Sequence, residues 1–398
     1  MKIHHFEFPK LGHGVSGGEQ CLVEVIRNLK SRGVQNILYT TDNGRETYER
    51  LGLMADPHLE YVTINSYAVE QKRHVFISFL SRTVQAVKLI KSVRLDDDDV
   101  LLCNSDAFPN SIPFFILARK NPSVGLIYWF RMRAPDLFKG FEGHFTGKRQ
   151  LPTAAVVQFK LAQWLYCKLV LRRGVVLTHN PHYRSFLERV FPHNRIHILA
   201  KYGGGTAGTK PRPASEKRYD LVWIGRFHVQ KGVFEIIDIL KRLKREKPDT
   251  SIAIIGGDDG TGRQDFENRC KQDDLTSLVT FMGHKTGEEK FEILRQARVF
   301  LMTSYYESYG IVIVEALDSG LPVVAYDLPV YGVFENGVIK VGILDNEAAK
   351  NAILRLLRDH AYYEEKAQEA QLAGDAHSWE RVSDEILSLC TTSAMPNR

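Results

Sequence analysis

Residues Ser304–Asp327 read SYYESYGIVIVEALDSGLPVVAYD. An apolar run starts after Gly310 and predicts a helix. Ser319-Gly-Leu-Pro322 then reads as a helix stop, and Val323–Tyr326 as a buried strand. The apolar residues just before the stretch, Val299–Thr303, predict another strand. Strand, loop, helix and strand in this span make the βαβ unit of a parallel sheet. Glu307 falls in the loop, and Glu315, eight positions on, in the first turns of the helix. A loop that runs into a helix N-terminus offers free backbone N–H groups to an anion. Two carboxylates beside such a place repel a phosphate unless their own partners are hydroxyls. A sugar and a ribose attached to a diphosphate carry both kinds of group.

The same rhythm extends in both directions. Lys2–Phe8, Gln35–Thr41, Leu59–Ile64, Val100–Cys103, Gly125–Trp129, Gly174–Leu177 and Arg195–Lys201 read as strands, with helices at Cys21–Gly33, Val75–Leu95 and Ala155–Arg173. Gly203–Ser215, rich in glycine, proline and small polar residues, reads as a linker. Alternation then restarts with strands at Tyr219–Ile224, Ser251–Ile255 and Val279–Met282, and the chain is nearly all helix from Asn346 onward. Two doubly wound parallel sheets facing across a cleft are expected. The expected boundaries are 1–205 for the first domain, 206–376 for the second, and 377–398 for a final helix crossing back to the first.

The totals exclude several classes. The 398 residues suffice for two cores, and no apolar run approaches membrane-spanning length. MKIHHFEFPK lacks the charged start and apolar block of a signal peptide. Five scattered cysteines without a CxxC pair predict reduced thiols, no zinc site and a cytoplasmic protein. The net charge of +6 is uneven: residues 1–210 carry +12 (29 Lys+Arg, 17 Asp+Glu) and the remainder −6. A basic first half fits an anionic partner such as a phosphorylated acceptor or a membrane surface; it fits a merely solvated face equally well.

Several motifs carry chemistry. Gly12-x-Gly14-x-x-Gly17 matches a dinucleotide fingerprint, and Asp42 follows at a suitable distance, which keeps an NAD-dependent oxidoreductase open. The loop is longer than that fingerprint wants. Gly17-Gly18 before Glu19 reads better as a helix N-terminus open to a phosphate. Gly225-Arg226-Phe-His-Val-Gln-Lys231-Gly232 follows a strand: Arg226 grips a diphosphate bidentately and Lys231 adds a point charge, both useful where charge develops on a departing nucleoside diphosphate. Gly256-Gly-Asp-Asp-Gly260 is a pocket edge or a plain turn. Asp96–Asp99 is expected to be a solvated turn. The helix around Trp164, Leu165 and Tyr166, with basic ends at Lys148–Arg149 and Lys168–Arg173, is expected to pack its aromatics inward rather than rest on a membrane.

Together, SGGEQ at 16–20, GRFHVQKG at 225–232, ESYGIVIVE at 307–315, SGLPVVAYD at 319–327 and the helix around Ser378-Trp379-Glu380 resemble the retaining GT-B glycosyltransferases of glycosyltransferase family 4. The resemblance implies transfer of a sugar from a UDP- or GDP-sugar to a glycan or lipid-linked saccharide, with no cofactor or bound metal and no nucleic-acid partner. It implies that Arg226 and Lys231 hold the diphosphate, with the N–H groups of Gly310 and Ile311. Glu307 would meet the donor sugar and Glu315 the ribose, Gly17 and Gly18 would approach from the first domain, and Phe281–Gly283 would read the base. Many members place a His or Asp after a first-half strand, facing the sugar. Here the corresponding run is IYWFRMRAPD, with Arg131 and Arg133 as acceptor-side candidates. A basic first half is consistent with peripheral contact with an anionic membrane. A sugar-binding module of this fold without turnover is the remaining alternative.

Overall fold

The computed structural model describes residues 1–8, 16–65, 75–139, 153–199, 201–204, 212–213, 216–257 and 262–393. The chain divides into two units. One is Met1–Leu137 with Leu151–Lys201 and Trp379–Arg398; the other is Phe138–Gln150 with Tyr202–Ser378.

The first unit is built on seven parallel strands in the order β3-β2-β1-β4-β5-β6-β7. They are β1 (Lys2–Phe6), β2 (Gln35–Thr41), β3 (Leu59–Ile64), β4 (Val100–Cys103), β5 (Gly125–Trp129), β6 (Val175–Thr178) and β7 (Arg195–Ile198). The inner strands VLLC, GLIYW and VVLT are buried at every position, as strands covered on both faces must be. The covering helices are α1 (Gly17–Ser31), α2 (Asp42–Arg50), α3 (Val75–Leu89), α4 (Phe108–Lys120), α5 (Ala154–Leu169) and α6 (Arg184–Val190). Leu22, Val23, Ile26 and Leu29 of α1 are buried, each worth about 1.5–3 kcal/mol.

The second unit has six parallel strands in the order β10-β9-β8-β11-β12-β13. These are β8 (Tyr219–Ile224), β9 (Ile252–Ile255), β10 (Val279–Gly283), β11 (Ala297–Met302), β12 (Val323–Tyr326) and β13 (Val338–Val341). Helices α7 (Val233–Glu246), α8 (Gly262–Gln272), α9 (Gly287–Arg295), α10 (Ile311–Asp318), α11 (Asn346–Arg358) and α12 (His360–Asp375) complete it. On α7, Val233, Ile236, Ile237, Leu240 and Leu243 are buried at helical spacing against Leu221, Val299 and Leu301. The final helix, α13 (Trp379–Ser393), belongs to the first unit and packs on α1 and β5. There Arg32 Nε lies 2.8 Å from Asp384 Oδ1. The architecture is α/β, with two Rossmann-like parallel-sheet units, as expected of a GT-B fold.

Several expectations are corrected. Asp99 is not part of a solvated turn. It is 1% exposed and accepts from the Lys2 N–H at 2.8 Å and the Asp96 N–H at 3.0 Å, with His4 Nε2 at 3.3 Å. Burial raises its pKa, but these hydrogen bonds prevail and hold it at about 2. Trp164 does not pack inward: it is 59% exposed, although Tyr166 is fully buried. Asp42 opens α2 under the Thr41 cap. The linker at 205–211 and 214–215, residues 9–15 of the glycine run, Asp258–Gly260 and Lys148–Arg149 lie outside the described residues.

Candidate active site

Strands β8 and β11 are neighbours although β9 and β10 separate them in the chain. From β8 the chain winds one way through β9 and β10, then the other way through β12 and β13. Loops at such a switch point diverge to opposite faces and leave a crevice at the carboxyl ends of the strands. The loops that leave β8 and β11 are Gly225–Gly232 and Thr303–Gly310, the two stretches singled out in the sequence.

Backbone chemistry laces these loops together. Gly232 adopts φ +60°, and a Cβ there would stand 1.9 Å from the Thr303 carbonyl oxygen, so only glycine fits. Thr303 Oγ1 donates to the Lys231 carbonyl at 3.0 Å, the Tyr305 N–H to the Gln230 carbonyl at 2.9 Å, and Gln230 Nε2 to the Tyr306 carbonyl at 2.9 Å. Tyr305 donates its hydroxyl to Glu235 Oε1 at 2.6 Å. This lacing sets Lys231 Nζ 2.5 Å from Glu307 Oε1, with side chains 19% and 11% exposed. Arg226, by contrast, is exposed, and its side chain makes no hydrogen bond or ion pair among the described residues.

Helix α10 begins at the same place. Gly310, at φ +102° and ψ +54°, is its N-cap and carries no side-chain cap. The N–H groups of Gly310 and Ile311 make no hydrogen bond among the described residues, which leaves an open helix end of the kind that can receive an anion. The Tyr331 ring crowds Gly310: a Cβ there would be 3.0 Å from Cε1. The Tyr331 hydroxyl is buried and without a hydrogen-bond partner among the described residues. Burial and the Glu307 charge push it well above its usual pKa. One helical face further on, Glu315 is 4% exposed. Its Oε1 is 2.5 Å from Lys290 Nζ of α9, and its Oε2 has no hydrogen-bond partner among the described residues. A buried carboxylate oxygen left open is costly unless a ligand donates to it.

In the first unit, Ser16 and Glu19 form a capping box on α1: the Ser16 N–H donates to Glu19 Oε2 at 2.6 Å, and Ser16 Oγ accepts from the Glu19 N–H at 3.4 Å. Gly17 and Gly18 fill the opening turn, and a Cβ on Gly18 would lie 3.8 Å from Arg131 Cδ and Nη1. Arg131 donates from Nε to the Asn104 carbonyl at 2.6 Å and lies over the Trp129 ring at 4.0 Å. Burial, then the Arg131 charge, lowers His179 to about 3, so that imidazole is neutral. Arg133 diverges from Arg131 and lies over Phe186 at 4.7 Å. The segment around Arg133 is clamped by Gln163: its Oε1 accepts from the Ala134 N–H at 2.9 Å, and its Nε2 donates to Asp106 Oδ2 at 2.8 Å and the Met132 carbonyl at 2.9 Å.

The structure thus brings Lys231, Glu307 and the α10 N-terminus together. Glu315 stands apart, paired to Lys290. Gly17, Gly18 and Arg131 form a separate cluster in the first unit. Lys290, Tyr331, Gln163 and Asp106 escaped the sequence reading. The EEK at 288–290 opening α9 was visible, but nothing in it announced a partner 25 residues on. Phe281 contacts Phe227 and Phe266, and Arg263 lies over its ring at 5.1 Å.

Residues 209–373 match the family model described as glycosyl transferases group 1. Glycogen synthase of Mycobacterium tuberculosis is 28% identical over 169 residues, covering 41% of this chain and 40% of that protein. Alpha-D-kanosaminyltransferase of Streptomyces kanamyceticus is 28% identical over 245 residues, covering 58% and 63%. The chain therefore matches less than two thirds of the length of either relative. Among solved structures, Anabaena Alr3699/HepE in complex with UDP and glucose superposes with a TM-score of 0.70 at 16% identity, covering 98% of both chains. This likeness shows the shared fold.

Proposed function

We propose that the chain is a metal-independent, retaining glycosyltransferase of glycosyltransferase family 4, acting in the cytoplasm. It takes a sugar from a UDP- or GDP-sugar and passes it to a glycan or lipid-linked saccharide. One observation carries the reading: a switch point at which Lys231, Glu307 and the open N-terminus of α10 converge, with Arg226 exposed on the same loop as Lys231. The domain match at 209–373 and the glycosyltransferase names among the relatives support it.

In this reading Arg226, Lys231 and the Gly310 and Ile311 N–H groups hold the diphosphate, and they stabilise the charge that develops as it leaves. Glu307 accepts from hydroxyls of the donor sugar. Glu315 Oε2 accepts from the ribose. The bond from the anomeric carbon to the diphosphate oxygen breaks, and the acceptor oxygen bonds to that carbon on the same face. The acceptor proton passes to the leaving phosphate. Gly17 and Gly18 offer N–H groups to a phosphate, and Arg131 and Arg133 recognise an anionic acceptor. Because cations and N–H dipoles supply the positive charge, turnover is expected to survive a chelator. The test is a screen of nucleotide sugars for release of nucleoside diphosphate. Release from UDP- or GDP-sugars is expected, and preferential binding of NAD with no release from any sugar nucleotide would overturn the reading.

A further inference from the structure

Helices α3, α4 and α5 form one layer of the first unit, α4 packing against both neighbours. Their sequences, VFISFLSRTVQAVKL, FPNSIPFFILARK and AAVVQFKLAQWLYCKL, contain no Asp or Glu and six Lys or Arg. On α3, Ile77, Leu80 and Val84 are 44%, 55% and 49% exposed, at positions i, i+3 and i+7. On α5, Val157, Leu161 and Trp164 are 46%, 46% and 59% exposed, at i, i+4 and i+7. Each set is a single stripe along its helix. These six are half of the large apolar residues exposed in the described chain. Beside them Lys88 and Lys168 are exposed and make no ion pair among the described residues.

We propose that this layer docks the protein on an anionic lipid bilayer. Apolar stripes with lysines and no carboxylates match an interface that is apolar within and negative at its surface. An indole is the side chain that most readily rests at that boundary. An acidic protein partner would be met by the lysines, but would leave the apolar stripes without a reason. The opposite side of α5 explains why docking matters. Gln163, 6% exposed, holds Met132, Ala134 and Asp106, so the Arg131–Arg133 segment sits about one helix diameter, ~10 Å, from the docked face. Resting on the glycosyltransferase reading, this makes the acceptor a membrane-borne saccharide carrying an anionic group.

The experiment uses the full chain with vesicles of phosphatidylcholine, alone or containing phosphatidylglycerol. Trp129, Trp223 and Trp379 are buried, so Trp164 supplies the quenchable emission. Sedimentation with anionic vesicles, a blue shift and protection of Trp164 from acrylamide are expected, with W164F abolishing both optical changes. L80S/L161S and K88E/K168E should each bind roughly tenfold more weakly. These residues lie outside the donor site, so nucleoside diphosphate release in solution should be unchanged in both variants. Absence of sedimentation, an unprotected Trp164, or equal protection by polyglutamate would overturn docking. Release measured in parallel separates the two readings: binding without release overturns the enzymatic one alone, and release without binding overturns docking alone.

Discussion

Lys231 and Glu307 are ion-paired at 2.5 Å, across 76 positions of sequence, at the point where the second sheet changes direction. The pair joins two groups assigned to different parts of one donor. Under the proposed function, a diphosphate arriving at Lys231 would compete with Glu307 and free that carboxylate for the hydroxyls of the sugar, which would couple diphosphate binding to sugar positioning. K231M should weaken binding of UDP or GDP by roughly 10- to 100-fold, as loss of a charge-assisted contact does. E307Q should bind nucleoside diphosphate at least as well as the parent. Calorimetric titration of both variants checks the pair; tighter binding by K231M would contradict it.

Glu315 and Lys290 make a second ion pair, between a buried carboxylate and a half-buried lysine, with side chains 5% and 12% exposed. K290M leaves a buried carboxylate alone and should cost about 3 kcal/mol. K290M/E315Q should recover most of that loss in urea unfolding. The E315Q variants should also lose preference for ribonucleotide donors over their deoxyribose analogues, because Glu315 Oε2 is assigned to the ribose. Retained discrimination would remove Glu315 from the pocket.

Gly232→Ala drives a Cβ into the Thr303 carbonyl at φ +60°. Gly33 also has positive φ, +74°, but nothing lies within 4 Å of its would-be Cβ. G33A should therefore cost about 1–2 kcal/mol. G232A should cost several times more and lower the unfolding midpoint by roughly 10 °C or beyond. Equal midpoints in thermal melts would mean that the two loops are not locked together.

Asp318, at the end of α10, has its pKa raised to about 6 by burial, with Asp375 and Glu315 adding to the effect. A carboxyl whose folded pKa lies above its usual 3.8 favours folding in its neutral form. That contribution is complete below about pH 4 and is lost as pH rises through 6. D318N keeps the neutral form at every pH. It should be more stable than the parent by about 2–3 kcal/mol at pH 8 and nearly equal to it at pH 4. Unfolding curves at the two pH values check the sign.

Central strands of the parallel sheets were legible because burial on both faces writes them as short apolar runs: β4, β5 and β8 fall where the sequence places them, and β2 and the half-exposed edge strand β3 do so through their β-branched and aromatic residues. Helix α4 was not legible. FPNSIPFFILARK is buried nearly all round and holds Pro113, so it lacks the one-sided pattern that reveals a helix. Helix α2 hid behind Asp42, which reads as a strand end. At the site, Glu307 and Lys231 were visible through their neighbours in sequence. Lys290, Tyr331 and Gln163 were not, since their importance lies in contacts the fold makes across 21 or more positions. Trp164 misled for the opposite reason: aromatic spacing speaks of one face, and the fold turned that face outward.

The most direct test is release of nucleoside diphosphate from UDP- and GDP-sugars by the parent chain and E307Q, with nucleotide binding followed alongside. Release by the parent, a loss of at least about 100-fold in E307Q, and unimpaired nucleotide binding by E307Q are expected. Full release by E307Q would contradict the place given to Glu307 against the donor sugar.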